Sequence, residues 1–333
     1  MLTYPLGIIT FIFTLLSTML VNADNTIPPE ARFSDPTKII PMPQRWIDQP
    51  LRYPAWSKGA DLTVSLDQQI YRTFADLIPE FEKESGLTVA FREGTCGISA
   101  GLLFKKQVDS AGFCCPAGEV DRLPGLTYHT FAIGALAIFV HNKNPIEGMS
   151  LQQLRKVYSG EVTQWSQVTS DTGIKGQSDM GVQPVGRLHC KIRPGHWRLI
   201  LDNPGKFSAR LQEVGTIPDM IAQVSKNPRA IGYETMLHLM RFKNKGQPKV
   251  IRINNADPRD QHAVASGQYP LYRTFSVSTW DQHSPEKQQN MKKLIEFLTT
   301  RTKSLPAKYG LVPLDALKKN GWRFHGTELI GEP

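Results

Sequence analysis

Hydrophobic positions between His129 and Val168 follow two periods in succession. The run HTFAIGALAIFV is almost unbroken apolar and reads as a buried strand, and NKNPIEG after it reads as a turn. The period then becomes helical, with Leu151, Leu154, Val157 and Tyr158 on one face. Ser150 with Gln153 three residues on forms a capping box, and Gly160 ends the helix. Upstream, Leu62, Val64 and Leu66 alternate as a first strand. Ile70, Phe74, Leu77, Ile78 and Phe81 then mark a helical stripe that Gly86 closes and that Pro79 should kink. Val89 and Phe91 belong to the next strand, and the segment from Gly94 to Gly101 opens another helix. From Asp61 onward strand and helix alternate, as α/β lobes require.

Two N-terminal segments break this rhythm. The first 23 residues carry no charged side chain, and Leu6 to Val21 is almost wholly apolar before the small-residue pattern Val21-Asn22-Ala23. A run of 16 residues is short for a membrane span. We read residues 1–23 as a secretory signal and expect a periplasmic mature protein starting near Asp24. Residues 24–60 contain Pro28, Pro29, Pro36, Pro41, Pro43, Pro50 and Pro54, which forbid long helices. This Pro-rich stretch is expected to be an extended arm around the first lobe, anchored by Trp46 and Trp56.

Composition narrows the class. A chain of 333 residues exceeds the size at which single cores stop growing, so two lobes are expected. Hydrophobic content of 40% with 21% charged residues is that of a globular protein. The net charge of +9 suits an anionic ligand or an anionic envelope surface, but the basic residues are scattered and no nucleic-acid motif accompanies them. No nucleic-acid partner and no cofactor is expected. No repeat or low-complexity tract is present, and no Gly-x-Ser-x-Gly, kinase or nucleotide-binding signature occurs.

The order and wording of several segments resemble the phosphate-binding proteins of ABC importers. DLTVSLDQQIYRTFADLIPEFEKESGLTVAFREGTCG matches that family's opening. VDSAGFCCPAGE stands where the family has a Ser-Ser loop, and PVGRLHCKIRPGHW where it has Gly-Arg followed by Ser-Gly-Thr. NPRAIGYETM and KYGLVPL follow in the family's order. The resemblance implies a two-lobed α/β fold of the type II periplasmic-binding-protein kind, each lobe a mixed sheet flanked by helices. Residues 61–135 plus 270–333 would form the first lobe and 136–269 the second, with the chain crossing near Ala135 and returning near Tyr269 to Val277. It also implies a monomeric, non-catalytic protein that binds a small phosphate-like anion between the lobes and docks on an ABC permease or a membrane sensor.

Ligands of such sheets lie beyond the carboxyl ends of strands, where helix N-termini present N–H groups. The resemblance therefore places the site in the loops around Asp67, Cys96, Cys114 and Cys190. Asp67 is read as a helix cap or as an acceptor for the O–H of a protonated oxyanion, since a fully ionised one would be repelled. Gln68 lies beside it, Cys96 and Gly97 open the loop after the second strand, and Arg187 matches the family's own Gly-Arg. Lys191 and Arg193 replace the Ser-Gly-Thr loop and offer donors to an anion.

Cys96, Cys114, Cys115 and Cys190 are the only cysteines, and all fall in these loops. An even count in an exported protein suggests disulfides. Adjacent Cys114 and Cys115 cannot readily bond to each other. The resemblance puts Cys190 on the other lobe, where a bond across the cleft would oppose hinge closure. One disulfide is expected, Cys96 with Cys114 or Cys115, stabilising the lobe by about 3 kcal/mol in the chain-entropy account. The remaining thiols, with His189 and with His129 and His196 as further candidates, suit a soft metal ion or a thiophilic species such as a trivalent metalloid. Candidate metal ligands are Cys115, His189 and Cys190. The spacing matches no CxxC, HExxH or CxxCH pattern, and His129, which opens an apolar strand, is read as structural. A thiol-dependent redox protein or enzyme on the same fold is a third reading.

Overall fold

The computed structural model describes residues 32–170, 173, 175, 176, 180–188, 193, 196–305 and 309–333. The expected signal and the positions His189, Cys190 and Lys191 lie outside the described residues.

The first lobe opens with β1 (Leu62–Asp67), the helix Gln68–Phe74, and then a 3-10 turn Ala75–Leu77 before the helix Ile78–Ser85. The single kinked helix of the sequence reading is thus broken in two, with Pro79 in the first turn of the second piece. There its missing N–H is no loss. Gly86 ends that helix at φ 71, a left-handed conformation open to glycine. The strands β2 (Val89–Gly94) and β3 (Ser110–Phe113) flank β1, both parallel to it. All six residues of β1 are buried, Thr63 and Ser65 included. That is the pattern of a parallel strand covered on both faces, not of a half-exposed one.

The strand β4 (Leu126–Val140) is the spine of the molecule. The second lobe adds β5 (Gly148–Met149), β6 (Gln183–Gly186), β7 (Gln212–Glu213), β8 (Ala230–Thr235) and β9 (Lys249–Ile253), and β10 (Tyr272–Trp280) and β11 (Leu311–Pro313) complete the sheet. Its order is β2-β1-β3-β10-β4-β8-β6-β7, with β9 and β11 also on β4. From Leu126 to Ala135, β4 pairs antiparallel with β10; from Leu136 to Val140 it pairs with β8. Chain crossing and return are therefore two adjacent extended strands. The capping box predicted at the helix Leu151–Ser159 is present, Gln153 N–H donating to Ser150 Oγ at 3.0 Å and Ser150 N–H to Gln153 Oε1 at 3.2 Å.

Two hydrophobic cores result. One gathers Leu62 through Ala132 with Phe275, Val277 and residues of the helix Pro285–Ser304; the other gathers Ile133 through Tyr272. The C-terminal segment sides with the second core through Val312, Leu317, Trp322 and Leu329, where the sequence reading put it with the first. The cause is β11, which pairs with β4 at Ala132–Gly134, where the two cores meet, and delivers the tail to the second.

The proline-rich segment lies on the first lobe as an arm with only the short helix Gln44–Ile47 and a 3-10 turn Ala55–Ser57. Both expected anchors pack there. The Trp46 indole N–H donates to Phe104 O at 2.8 Å, and the Lys106 ammonium sits 4.6 Å from its ring centroid. Further upstream the arm reaches the other lobe. Arg32 pairs with Glu332 at 2.7 Å. Among the described residues no helix is long and apolar enough to cross a membrane.

Candidate functional site

Neighbouring strands β2, β1 and β3 run parallel, so their carboxyl ends lie side by side and three loops meet there. From these come Cys96, just past β2; Asp67, the last residue of β1; and Cys114, directly after β3. One ligand atom from each of the three lies within 4.8 Å of the other two, and all are buried. Cys115 joins them, its Sγ 3.9 Å from that of Cys114. Gly112, in β3 behind this cluster, has no room for a Cβ, which would stand 2.5 Å from Leu66 Cδ2.

Asp67 divides its carboxylate between two tasks. Oδ1 caps the helix Gln68–Phe74, accepting from Gln69 N–H at 2.9 Å and Ile70 N–H at 3.0 Å. Oδ2 accepts from the Cys114 backbone N–H and lies 3.6 Å from Cys96 Sγ. Burial, then the adjacent Cys114 sulfur, raises the Asp67 carboxyl well above the usual carboxylate range. Cys114 moves the other way. Burial opposes its ionisation, but hydrogen bonds from Cys115 and Cys96, the Arg273 charge and Asp67 together hold its thiol well below the usual value. Arg273 Nη1 donates to Cys114 Sγ at 3.1 Å.

No disulfide joins the three described cysteines. The bond expected from Cys96 to Cys114 or Cys115 is therefore not formed here. Cys96 Sγ is turned to Asp67, and Cys114 Sγ is held between Arg273 and Cys115.

Two of the predicted anion donors, Arg187 and Arg193, are paired with carboxylates. Arg187 Nη1 pairs with Glu234 Oε2 at 3.2 Å, and its Nη2 donates to Gln68 Oε1 at 3.2 Å. Gln69 Nε2 donates to Glu234 Oε1 at 2.7 Å. Arg193 Nη2 pairs with Asp121 Oδ1 at 2.9 Å, and its guanidinium carbon lies 3.4 Å from the Phe113 ring centroid. The Arg187–Glu234 pair lies within the second lobe, whereas the Arg187–Gln68, Gln69–Glu234 and Arg193–Asp121 contacts join the second lobe to the first. Both charges are matched by carboxylates; Arg193 reaches across the cleft to Asp121, and Arg187, held by Glu234 of its own lobe, reaches across to Gln68. Gly97 is exposed, and a Cβ there would meet only Thr95 Oγ1 at 3.8 Å, so no close approach needs a glycine.

None of the described histidines joins the thiols. His129 bridges Thr327 and Thr279 at 2.7 Å each, and burial pushes it down to about 4, so its structural reading stands. His196 packs edge-on against Tyr233. His238, buried beside Glu234 and Thr235, is pushed down to about 3, chiefly by burial.

Sequence reasoning missed Arg273, Asp121 and Glu234. A signal existed for the first, since Arg273 is the only charged residue of β10. Among the described residues a cavity of about 10 Å³ lies beside Cys114, lined also by Arg32, Tyr272, Arg273 and Leu199, with room for a single water.

Two cores joined by crossing strands, with buried polar loops between them, define a two-lobed binding protein of the type II periplasmic-binding-protein kind. The chain belongs to the PBP superfamily domain family, whose model matches residues 54–302. It is similar to the phosphate-binding protein PstS of Pseudomonas aeruginosa, with 28% identity over 156 residues, 44% of this chain and 47% of that protein. The chain thus spans about half the length of the curated relatives it matches. Among solved structures, an ABC-type phosphate transport receptor from Vibrio cholerae aligns with a TM-score of 0.60 at 22% identity, covering 75% of this chain and 99% of that one. A putative phosphate ABC transporter substrate-binding protein with bound phosphate from Clostridium perfringens gives 0.62 at 14%, covering 76% and 99%.

Proposed function

We propose that this protein is an exported solute-binding protein that holds one small oxyanion or oxyacid of phosphate-like size in the cleft between its lobes. It would hand that solute to an ABC permease or report it to a membrane sensor, without catalysis. The observation that carries this reading is the meeting of three strand ends, with Asp67, Cys96 and Cys114, and of Arg273 at one buried point between the two cores. Family membership and the phosphate-binding names of similar proteins support the class.

Charge refines the ligand. Arg187 and Arg193 are matched by Glu234 and Asp121, and Asp67 stands at the centre. Among the described residues a fully ionised oxyanion at this point would meet the Arg273 cation and the Asp67 carboxyl group together, so a protonated form is favoured. Calorimetric titration of the reduced protein with phosphate and with small uncharged oxyacids tests the reading. One solute bound per chain, weakened in Arg273→Gln, is expected; no heat with any of them removes it.

A further inference from the structure

The site offers sulfur as well as oxygen and nitrogen. Resting on the reading of the cleft as a solute site, we propose that the solute is an uncharged trivalent metalloid hydroxide of the arsenite class, held by bonds to the sulfurs of Cys96, Cys114 and Cys115. Three observations lead there.

The first is placement. Cys96 and Cys114 are set by adjacent strand ends with Asp67 between them, and their ligand atoms fall within 4.8 Å of each other and of Asp67. Cys115 Sγ, 3.9 Å from Cys114 Sγ, brings the third sulfur. These cysteines come from two separate loops of one lobe, so the binding set is complete before the second lobe closes over it. Thiolates are soft donors, and no histidine is among the described ligand groups, which selects a thiophilic centre over a hard one.

The second is charge. The Arg273 guanidinium lies 3.1 Å from Cys114 Sγ, where it disfavours a metal cation on that sulfur. The neighbouring arginines are already paired, Arg187 with Glu234 at 3.2 Å and Arg193 with Asp121 at 2.9 Å, so a dianion gains little from them. A solute that enters uncharged and stays uncharged once bound avoids burying an unmatched charge.

The third is space. The cavity that the described residues form beside Cys114 is about 10 Å³, and this pocket by itself takes no tetrahedral oxyanion. A single atom bonded to three sulfurs lies among them and needs no separate chamber.

The exchange balances without redox change. Three As–O bonds break and three As–S bonds form; each thiol proton leaves with one hydroxide as water, and arsenic stays trivalent. No co-reactant is needed.

The experiment uses the full exported protein, reduced and then freed of reductant, with sodium arsenite as probe. Native mass spectrometry should give a gain of one arsenic less three hydrogens per chain, and arsenic-edge X-ray absorption three sulfur neighbours without oxygen. Arsenite should block iodoacetamide labelling of Cys96, Cys114 and Cys115 in the unmodified chain, a readout that needs no variant. Cys114→Ser, checked for a native melting transition, should lose the arsenic gain. An unchanged mass, an oxygen-only shell, unprotected thiols, or stoichiometric Zn²⁺ or Cd²⁺ that arsenite cannot displace would each overturn the proposal. Parallel titration with phosphate separates the two readings. Phosphate bound without arsenite leaves the solute-binding reading in place and removes this one, whereas neither bound removes both.

Discussion

Arg273 Nη1 reaches Cys114 Sγ at 3.1 Å although 159 residues separate them. The contact exists because β10 and β3 are antiparallel neighbours, Ser276 opposite Phe113 and Val277 opposite Gly112. It brings the return crossing, and with it the junction of the lobes, onto the thiol cluster. A thiolate beside a guanidinium is stabilised, and Arg273 is one of the groups holding Cys114 below its usual range, after the hydrogen bonds from Cys115 and Cys96. Replacing it by Gln should move the onset of thiolate absorbance, and of Cys114 alkylation, to higher pH. An unmoved profile would show that Arg273 does not act on this sulfur.

The Arg187–Glu234 pair is almost wholly buried within the second lobe, and each partner reaches the first lobe through a glutamine, Arg187 through Gln68 and Glu234 through Gln69. Burial raises the Glu234 carboxyl, while Arg187 opposes that rise. Removing one partner strands the other, so Arg187→Met should cost about 3–5 kcal/mol. The double change Arg187→Met with Glu234→Gln should cost clearly less, because no unmatched charge remains and the Gln69 contact can persist. Urea denaturation of the three variants and the parent decides this; equal losses in single and double variants would contradict it.

Asp67 is both cap and thiol neighbour. Asp67→Ala should lose about 1 kcal/mol of capping, and about 1–3 kcal/mol more because the buried Cys114 N–H loses its acceptor. Asp67→Asn keeps an acceptor oxygen and should retain most of the capping share. Thermal unfolding that ranks Asn as badly as Ala would show that the negative charge, not the acceptor, matters.

Two buried histidines set an acid limit. His129 is pushed down to about 4 and His238 to about 3, chiefly by burial. Between the ordinary histidine value near 6.5 and these lower values, the unfolded chain binds protons that the folded chain does not. Both groups therefore leave stability unaffected above about pH 6.5, where they are neutral in both states, and cost stability progressively as pH falls toward 4 and 3. His129→Gln should flatten the stability profile from pH 6.5 to 4, measured by denaturation at a series of pH values. A slope equal to the parent's would assign the acid sensitivity to other groups.

Local patterns carried much of this fold into the sequence. The Ser150–Gln153 capping box, the stop at Gly86 and the unbroken apolar run of β4 depend on neighbours in the chain, and each formed as read. The meeting of Asp67, Cys96, Cys114 and Cys115 was legible because each falls where a strand ends, and parallel neighbours bring their ends together. What stayed hidden depends on distant partners. Nothing local to Arg193 announces Asp121, nor does Arg187 point to Glu234; both arginines read as ligand donors, and their carboxylates come from distant segments of the chain. The proposed disulfide failed for the same reason, since loop spacing gives reach but not direction, and Asp67 and Arg273 decide where the sulfurs turn.

The central claim is that one small solute is bound between the lobes at the Asp67, Cys114 and Arg273 cluster. Native mass spectrometry of the purified protein, with and without prior alkylation of the reduced thiols, tests it most directly. The account predicts one small oxyacid or oxyanion per chain, retained from the cell or taken up on incubation, and lost once Cys114 is alkylated. Solute retained equally after alkylation would place the site elsewhere, and a chain that stays ligand-free with phosphate and arsenite alike would contradict the account.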